Sequence, residues 1–105
     1  MSPSIAFEDP TARLKADGHA QIRKMGEQLR TSYRDITIAV HSMVVSAEQV
    51  ATEVTISATV TRPDGTTRNI SVRGASFFVV RGGRVEKWTD YFDVQTFNEQ
   101  MRAKP

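Results

Sequence analysis

The chain contains no cysteine, so a disulfide framework, a thiolate nucleophile and a thiolate metal site are all excluded. Histidine is nearly as scarce. The two present, His19 and His41, lie far apart without a ligand-like spacing, so no histidine metal site is expected. No apolar run approaches the roughly 20 residues that span a bilayer. The opening stretch Met1 to Asp9 lacks a basic segment followed by an apolar one, so it does not read as a secretory signal. The default expectation is a soluble cytoplasmic protein that meets no membrane. A dominant charge is missing too. Fourteen Lys and Arg stand against 12 Asp and Glu, and the bases never form a run longer than a pair. A sequence-independent phosphate grip needs concentrated positive surface, so nucleic acid is not an expected partner.

What remains is ordinary for a folded domain. The 105 residues, 39% apolar and 25% charged, suffice for a single domain over residues 1–105 built on one core. Ile5-Ala6-Phe7-Glu8-Asp9 alternates and then meets Pro10, which predicts a short strand stopped by proline. Thr11 to Ala16 reads as a loop or short extended segment. Asp17-Gly18 opens a helix, with Asp17 placed to cap it, and Ile22, Met25, Leu29 and Tyr33 form its apolar stripe. Gly26 inside that helix predicts close approach to a strand.

From Asp35 the period changes to two. Ile36, Ile38 and Val40 open a strand that runs to about Val45. Val50 to Thr61 is a second strand, dense in Thr and Val, which lose rotamer freedom in a helix. Arg62-Pro63-Asp64-Gly65-Thr66 is a turn, with Pro setting φ and Gly supplying a positive φ. Thr67 to Arg81 is a third strand, apolar on both faces near its end, which predicts cover on both sides. Gly74 within it predicts a bulge or bend. Gly82-Gly83 turns into a fourth strand, Arg84 to Phe92, and Asp93 caps a closing helix carrying Val94, Phe97 and Met101. The order predicts an α+β domain with a curved antiparallel sheet wrapped around a helix.

The stretch Arg81 to Phe97 draws most attention. It holds the only Trp, one of the two Tyr and two of the five Phe, with Asp90 and Asp93 set among them. Two segments together resemble the SnoaL-like branch of the nuclear transport factor 2 superfamily, the cone-shaped α+β barrels. One is Ala6-Phe7-Glu8-Asp9-Pro10 followed by Gly18-His19-Ala20-Gln21-Ile22-Arg23. The other runs from Phe77 to Asp93 and includes Trp88-Thr89-Asp90-Tyr91-Phe92-Asp93. The resemblance covers roughly residues 5–101. It implies the cone-shaped barrel directly and function only loosely, since such a fold hosts many activities.

Three chemistries of that superfamily are compared residue by residue. Limonene-epoxide hydrolases carry a segment like Trp88 to Asp93, and Asp90 matches their water-activating acid. Their Arg-x-Asp pair has no counterpart on the strand 50–61, so that mechanism is not expected. Ketosteroid isomerases place a general base where Asp9 stands in Glu8-Asp9-Pro10, and the position of their oxyanion-stabilising Asp falls on Ser76. SnoaL-type cyclases use an Asp/His arrangement; His41 has the wrong alternation to enter the cavity. Members usually begin with one or two helices that wall the cone, whereas this sequence opens on the first strand. The cavity is then open, filled by a symmetry-related chain, or closed by residues of a longer reading frame.

The resemblance implies Asp9 and Asp90 as acid–base residues, a pocket lined by Phe7, Ser76, Phe78, Trp88 and Phe92, an apolar small-molecule ligand, and no cofactor or metal. Each residue also has a plainer reading. Asp9 is a turn cap before Pro10, Asp90 a rim carboxylate bonded to loop N–H groups, Ser76 a small strand residue, and the aromatics core. Phe77 and Val79 on the outer sheet face predict a homodimer joined through the sheet. The competing reading of function is a non-catalytic ligand-binding or assembly module.

Overall fold

The structure, a computed structural model, describes residues 3–102. Two short strands, β1 (Ala6–Asp9) and β2 (Leu14–Asp17), precede helix α1 (Gly18–Ser32). Four longer strands follow: β3 (Tyr33–Ser46), β4 (Gln49–Thr61), β5 (Thr67–Arg81) and β6 (Arg84–Phe92). Helix α2 (Val94–Arg102) closes the chain. All six strands form one sheet in the order β2-β1-β6-β5-β4-β3. Every pairing is antiparallel except β1 with β6, which run parallel. This is the expected α+β domain with a mostly antiparallel curved sheet.

Local chemistry accounts for the turns. Gly65, Gly82 and Gly83 all take positive φ, as the two hairpins require. Asp64 accepts from both the N–H and the hydroxyl of Thr66, which locks the β4–β5 connection. Asp93 caps α2 as expected, accepting from the Thr96 N–H at 3.0 Å and the Thr96 hydroxyl at 2.6 Å.

Both helices lie on one face of the sheet, the inner face. Ile22 of α1 packs with Ile5, Phe7 and Ala16, and Met25, Val85 and Trp88 lean on that cluster. Phe97 and Met101 of α2 pack on a second cluster of Ala58, Val60, Ile70 and Val72. The two clusters sit at opposite ends of the inner face. The polar side chains described below lie between them.

Several local expectations are corrected. Of the two readings of Thr11 to Ala16, the extended one holds from Leu14, where residues 14–17 pair as a strand because Phe7 and Glu8 give Ala16 and Lys15 ladder partners. Asp17 stands at the N-cap of α1 without a side-chain capping bond; its own N–H donates to Gln21 Oε1 at 2.7 Å. Tyr33 belongs to β3, and Leu29 is 40% exposed, so the buried stripe of α1 reduces to Ile22 with Met25 beside it. A Cβ on Gly26 would meet nothing within 4 Å, so no strand approaches it closely. Gly74 lies in unbroken register, and no bulge forms there. A Cβ at Gly74 would overlap the Phe92 ring, so the glycine makes room for a side chain on the neighbouring strand. The bulges fall elsewhere, between Arg34 and Thr37, between Val40 and Ser42, and between Val79 and Val80. The outer face of β5 is not covered within one chain: Phe77 is 46% exposed.

Candidate functional site

Strand register builds the site row by row. Met43 pairs with Thr52, Thr52 with Ser76, and Ser76 with Asp90, giving one row across four strands. A second row joins Val45, Val50, Phe78, Trp88 and, through the parallel pairing, Phe7. A third joins Val40, Val54, Gly74 and Phe92. Period-two alternation keeps all three rows on the inner face. The β1–β6 register runs Phe7 to Trp88 and ends at Glu8 with Thr89; Asp9 and Asp90 each follow that last pair, and the charge of Asp9 acts on Asp90. The two carboxylates are 81 positions apart in sequence and neighbours in the fold.

Both are buried: Asp9 is 6% exposed and Asp90 7%. Their hydrogen bonds are arranged alike. Asp90 Oδ1 accepts from the Ser76 hydroxyl and from Trp88 Nε1, each at 2.6 Å. Asp9 Oδ1 accepts from the Thr11 hydroxyl at 2.6 Å and from the Ala12 N–H at 3.0 Å. In each case the donors converge on one oxygen, which leaves Oδ2 outside these bonds. Burial pushes the Asp90 carboxyl above the usual carboxylate range. The Ser76 and Trp88 donors oppose that push, and the negative charge of Asp9 adds to it. Ser76 is itself buried, and its carbonyl accepts from the Thr52 hydroxyl at 3.2 Å.

Aromatic rings wall this row on one side. Phe7 meets Trp88 edge to face at a centroid separation of 4.7 Å, and Phe78 stacks on Trp88 at 6.0 Å. On the other side lies β3. Its inward row of Ile36, Ile38, Val40, Met43 and Val45 is 45–63% exposed, so the inner face is open there. Two grooves mark the surface. One, of about 320 Å³, is lined by Phe78 and Val50 together with Val44, Phe77, Val79 and Thr89 among others, and the second by Phe92 and Gly74 together with Arg73, Tyr91 and Asp93 among others. Neither is lined by Asp9 or Asp90. His41 sits at the β3 bulge and contacts Thr55 on the outer face at 2.6 Å, away from the carboxylates. Among the described residues no group of three His, Cys, Asp or Glu could hold a metal ion. No helix among them is long and apolar enough to cross a membrane.

The structure thus brings the expected Asp9, Ser76, Trp88 and Asp90 to one place. Phe7 and Phe78 stand beside them, whereas Phe92 leans on the other cluster with α2. Asp9 does cap its turn, yet that bond uses only Oδ1. Asp90 bonds to Ser76 and Trp88, not to loop N–H groups at a rim. Thr11 and Thr52 went unread, although the Asp-Pro-Thr sequence of 9–11 carries the signature of a side-chain-capped turn.

A family profile described as the SnoaL-like domain matches residues 1–88. The chain belongs to the SnoaL-like family. Among solved structures, this SnoaL-like chain is similar to a protein of Shewanella putrefaciens CN-32 assigned as a SnoaL-like polyketide cyclase. The TM-score is 0.87 at 18% identity, covering 94% of this chain and 77% of that one. It is also similar to a protein of Catenulispora acidiphila with a ketosteroid isomerase-like fold, in complex with trimethylamine. That TM-score is 0.85 at 14% identity, with coverage of 94% and 74%. A third is an LEH-like epoxide hydrolase of M. tuberculosis, at a TM-score of 0.77 and 18% identity, with coverage of 97% and 72%. At such identities these likenesses speak for the fold. No curated protein matches the chain.

Proposed function

We propose that this SnoaL-like domain binds an apolar small molecule on its inner face and performs cofactor-free acid–base chemistry on it, of isomerase, cyclase or hydrolase type, with Asp9 and Asp90. One observation carries the reading. Two buried carboxylates stand side by side, each held through Oδ1 and free of those bonds at Oδ2. Like charges in a desolvated site resist joint ionisation, and burial already pushes the Asp90 carboxyl upward. The roles divide by environment. Asp90, pushed upward mainly by burial, is the proton holder; Asp9 is the base.

In an isomerisation, a C–H bond next to a carbonyl breaks and its proton passes to Asp9 Oδ2. The electron pair moves onto the carbonyl oxygen, which takes the hydrogen bond of protonated Asp90 Oδ2. Where a C=C is conjugated with that enolate, return of the proton from Asp9 to its far carbon re-forms the carbonyl and leaves Asp9 a carboxylate and Asp90 protonated, as at the start. Ser76 and Trp88 keep Asp90 Oδ1 an acceptor, so the acidic hydrogen projects from Oδ2. Phe7, Phe78 and Trp88 supply apolar surface, and the open row on β3 is the side of approach.

The test is a thermal-shift screen with steroids, terpenoid epoxides and aromatic polyketides, followed by turnover assays on whatever binds. Asp9→Asn, which removes the base, and Asp90→Ala, which removes the donor that an Asn amide would replace, should each keep binding and lose turnover. Turnover surviving in both variants would refute the reading. Binding without turnover of any bound compound would favour a non-catalytic ligand-binding module instead.

A second reading concerns assembly. On the outer face Phe77 and Tyr91 meet edge to face at 5.8 Å and remain 46% and 43% exposed, beside Val44 and Val79. Apolar surface of this kind favours a homodimer joined through the sheet. Sedimentation analysis should give a dimer that Phe77→Glu dissociates. A monomer at all concentrations would remove this reading and leave the acid pair untouched.

A further inference from the structure

Thr11 lies in the turn between β1 and β2, two residues past Asp9. Its hydroxyl donates to Asp9 Oδ1 at 2.6 Å and accepts the backbone N–H of Phe92 at 3.0 Å. A hydroxyl has one hydrogen, and here it goes to the carboxylate, so toward Phe92 the same oxygen can only accept. The paired register of β1 with β6 ends at Glu8 and Thr89. The Thr11–Phe92 bond continues the contact beyond that last pair, across 81 positions of sequence. Phe92 is the last residue of β6, two after Asp90. One oxygen therefore ties the Asp9 carboxylate to the strand end that carries Asp90.

We propose that Thr11 is a positioning residue, whose hydroxyl fixes the Asp9 carboxylate beside Asp90 by anchoring it to the backbone of β6. The inference rests on the acid-pair reading above. Backbone pairing holds Asp9 only on its β2 side, through Leu14; toward β6 the pairing ends one residue earlier, at Glu8 and Thr89. The Ala12 N–H also reaches Asp9 Oδ1, but it belongs to the same turn and moves with it. The Thr11 hydroxyl links the turn, the carboxylate and β6 at once. Serine preserves both of its roles. Valine preserves shape and β-branching and abolishes both.

The experiment is a carboxyl NMR titration of the wild type, Thr11→Ser and Thr11→Val, with circular dichroism and thermal melts to confirm folding. Asp9 is the charge that acts on Asp90, so its position is read in the Asp90 midpoint. In Thr11→Val the Asp90 midpoint should fall, since the Asp9 charge swings away, while burial still holds it above the ordinary range. Thr11→Ser should restore the wild-type midpoint. Asp93, which caps α2 through Thr96, should titrate identically in all three proteins, whereas a merely structural lesion would move it as well. Should Thr11→Val fail to fold, Thr11→Ala carries the same expectation. An unchanged Asp90 midpoint in the valine variant, or failure of serine to restore it, overturns the inference and leaves the acid pair standing. A wild-type Asp90 that titrates in the ordinary range refutes the acid-pair reading, and the inference with it.

Discussion

Replacing Asp90 by Asn and by Ala separates its charge from its hydrogen bonds. Oδ1 accepts from Ser76 and Trp88 Nε1, both at 2.6 Å. Asn keeps an oxygen in that position and carries no charge. Ala removes the acceptor and leaves the buried Ser76 hydroxyl and the partly buried Trp88 N–H without it. Each abandoned donor costs about 1–3 kcal/mol, so Asp90→Ala should lose about 2–6 kcal/mol. A domain of this size has about 5–15 kcal/mol in all, so the loss is a large share. The comparison is cleanest near the ordinary aspartate value of about pH 4, where the upward shift favours the protonated carboxyl in the fold. For Asn the sign runs differently. The folded-state pKa of Asp90 is raised above its unfolded value, so the folded state binds more protons between the two. Wild-type stability from this group is full below the unfolded value and is lost as pH rises through the folded one. Asp90→Asn has no such proton to lose and should gain on the wild type across that window. Urea unfolding followed by fluorescence of Trp88, the only tryptophan, reads both effects. A wild-type-minus-Asn difference that stays flat with pH would refute the buried-charge argument. An Ala variant no weaker than Asn near pH ~4 would refute the hydrogen-bond argument.

Three further outcomes follow from the same packing. Gly74→Ala places a Cβ against the Phe92 ring and the Tyr91 carbonyl. It should destabilise by about 1–3 kcal/mol, read as a fall in Tm of about 4–8 °C per kcal/mol. Trp88→Phe removes one of the donors that favour ionised Asp90, so the Asp90 midpoint should move further up in a carboxyl NMR titration. The hydroxyl and N–H of Thr96 hold the Asp93 carboxyl below the usual range, so its contribution to α2 is present at neutral pH and lost as pH falls through that lowered value. Asp93→Ala should therefore reduce helical circular dichroism at neutral pH and leave little difference in strong acid.

Much of the fold was legible because its determinants are local. Alternation of period two marked β4, β5 and β6 to within a residue, and Gly65 and Gly82-Gly83 marked their turns through the φ they permit. Asp93 was readable as a cap because its acceptor and the free N–H lie three residues apart. Readings failed where a neighbour distant in sequence decides. Gly74 reads as a bulge or bend from one strand alone, yet no bulge forms there and the glycine makes room for the Phe92 ring on the next strand. Gly26 reads as a close approach and meets nothing. The bulge between Val40 and Ser42 shifts the alternation of β3, so that Met43 and Val45 join Ile36, Ile38 and Val40 on the inner face.

The candidate site divides along the same line. The sequence by itself determined that Asp9 precedes a proline turn, that Trp88, Asp90 and Phe92 share a strand face, and that no thiol is available. Those facts follow from residue type and period. Only the tertiary structure decided that Asp9 and Asp90 are neighbours, because that rests on a parallel pairing between the first strand and the last long one. It also decided that Ser76 and Trp88 aim their donors at one carboxylate oxygen, and that Thr11 clamps the other acid to β6. A hydrogen bond is made within about 3 Å. Which side chains come that close is fixed by strand register and sheet order, and neither is encoded in the residues that form the bond.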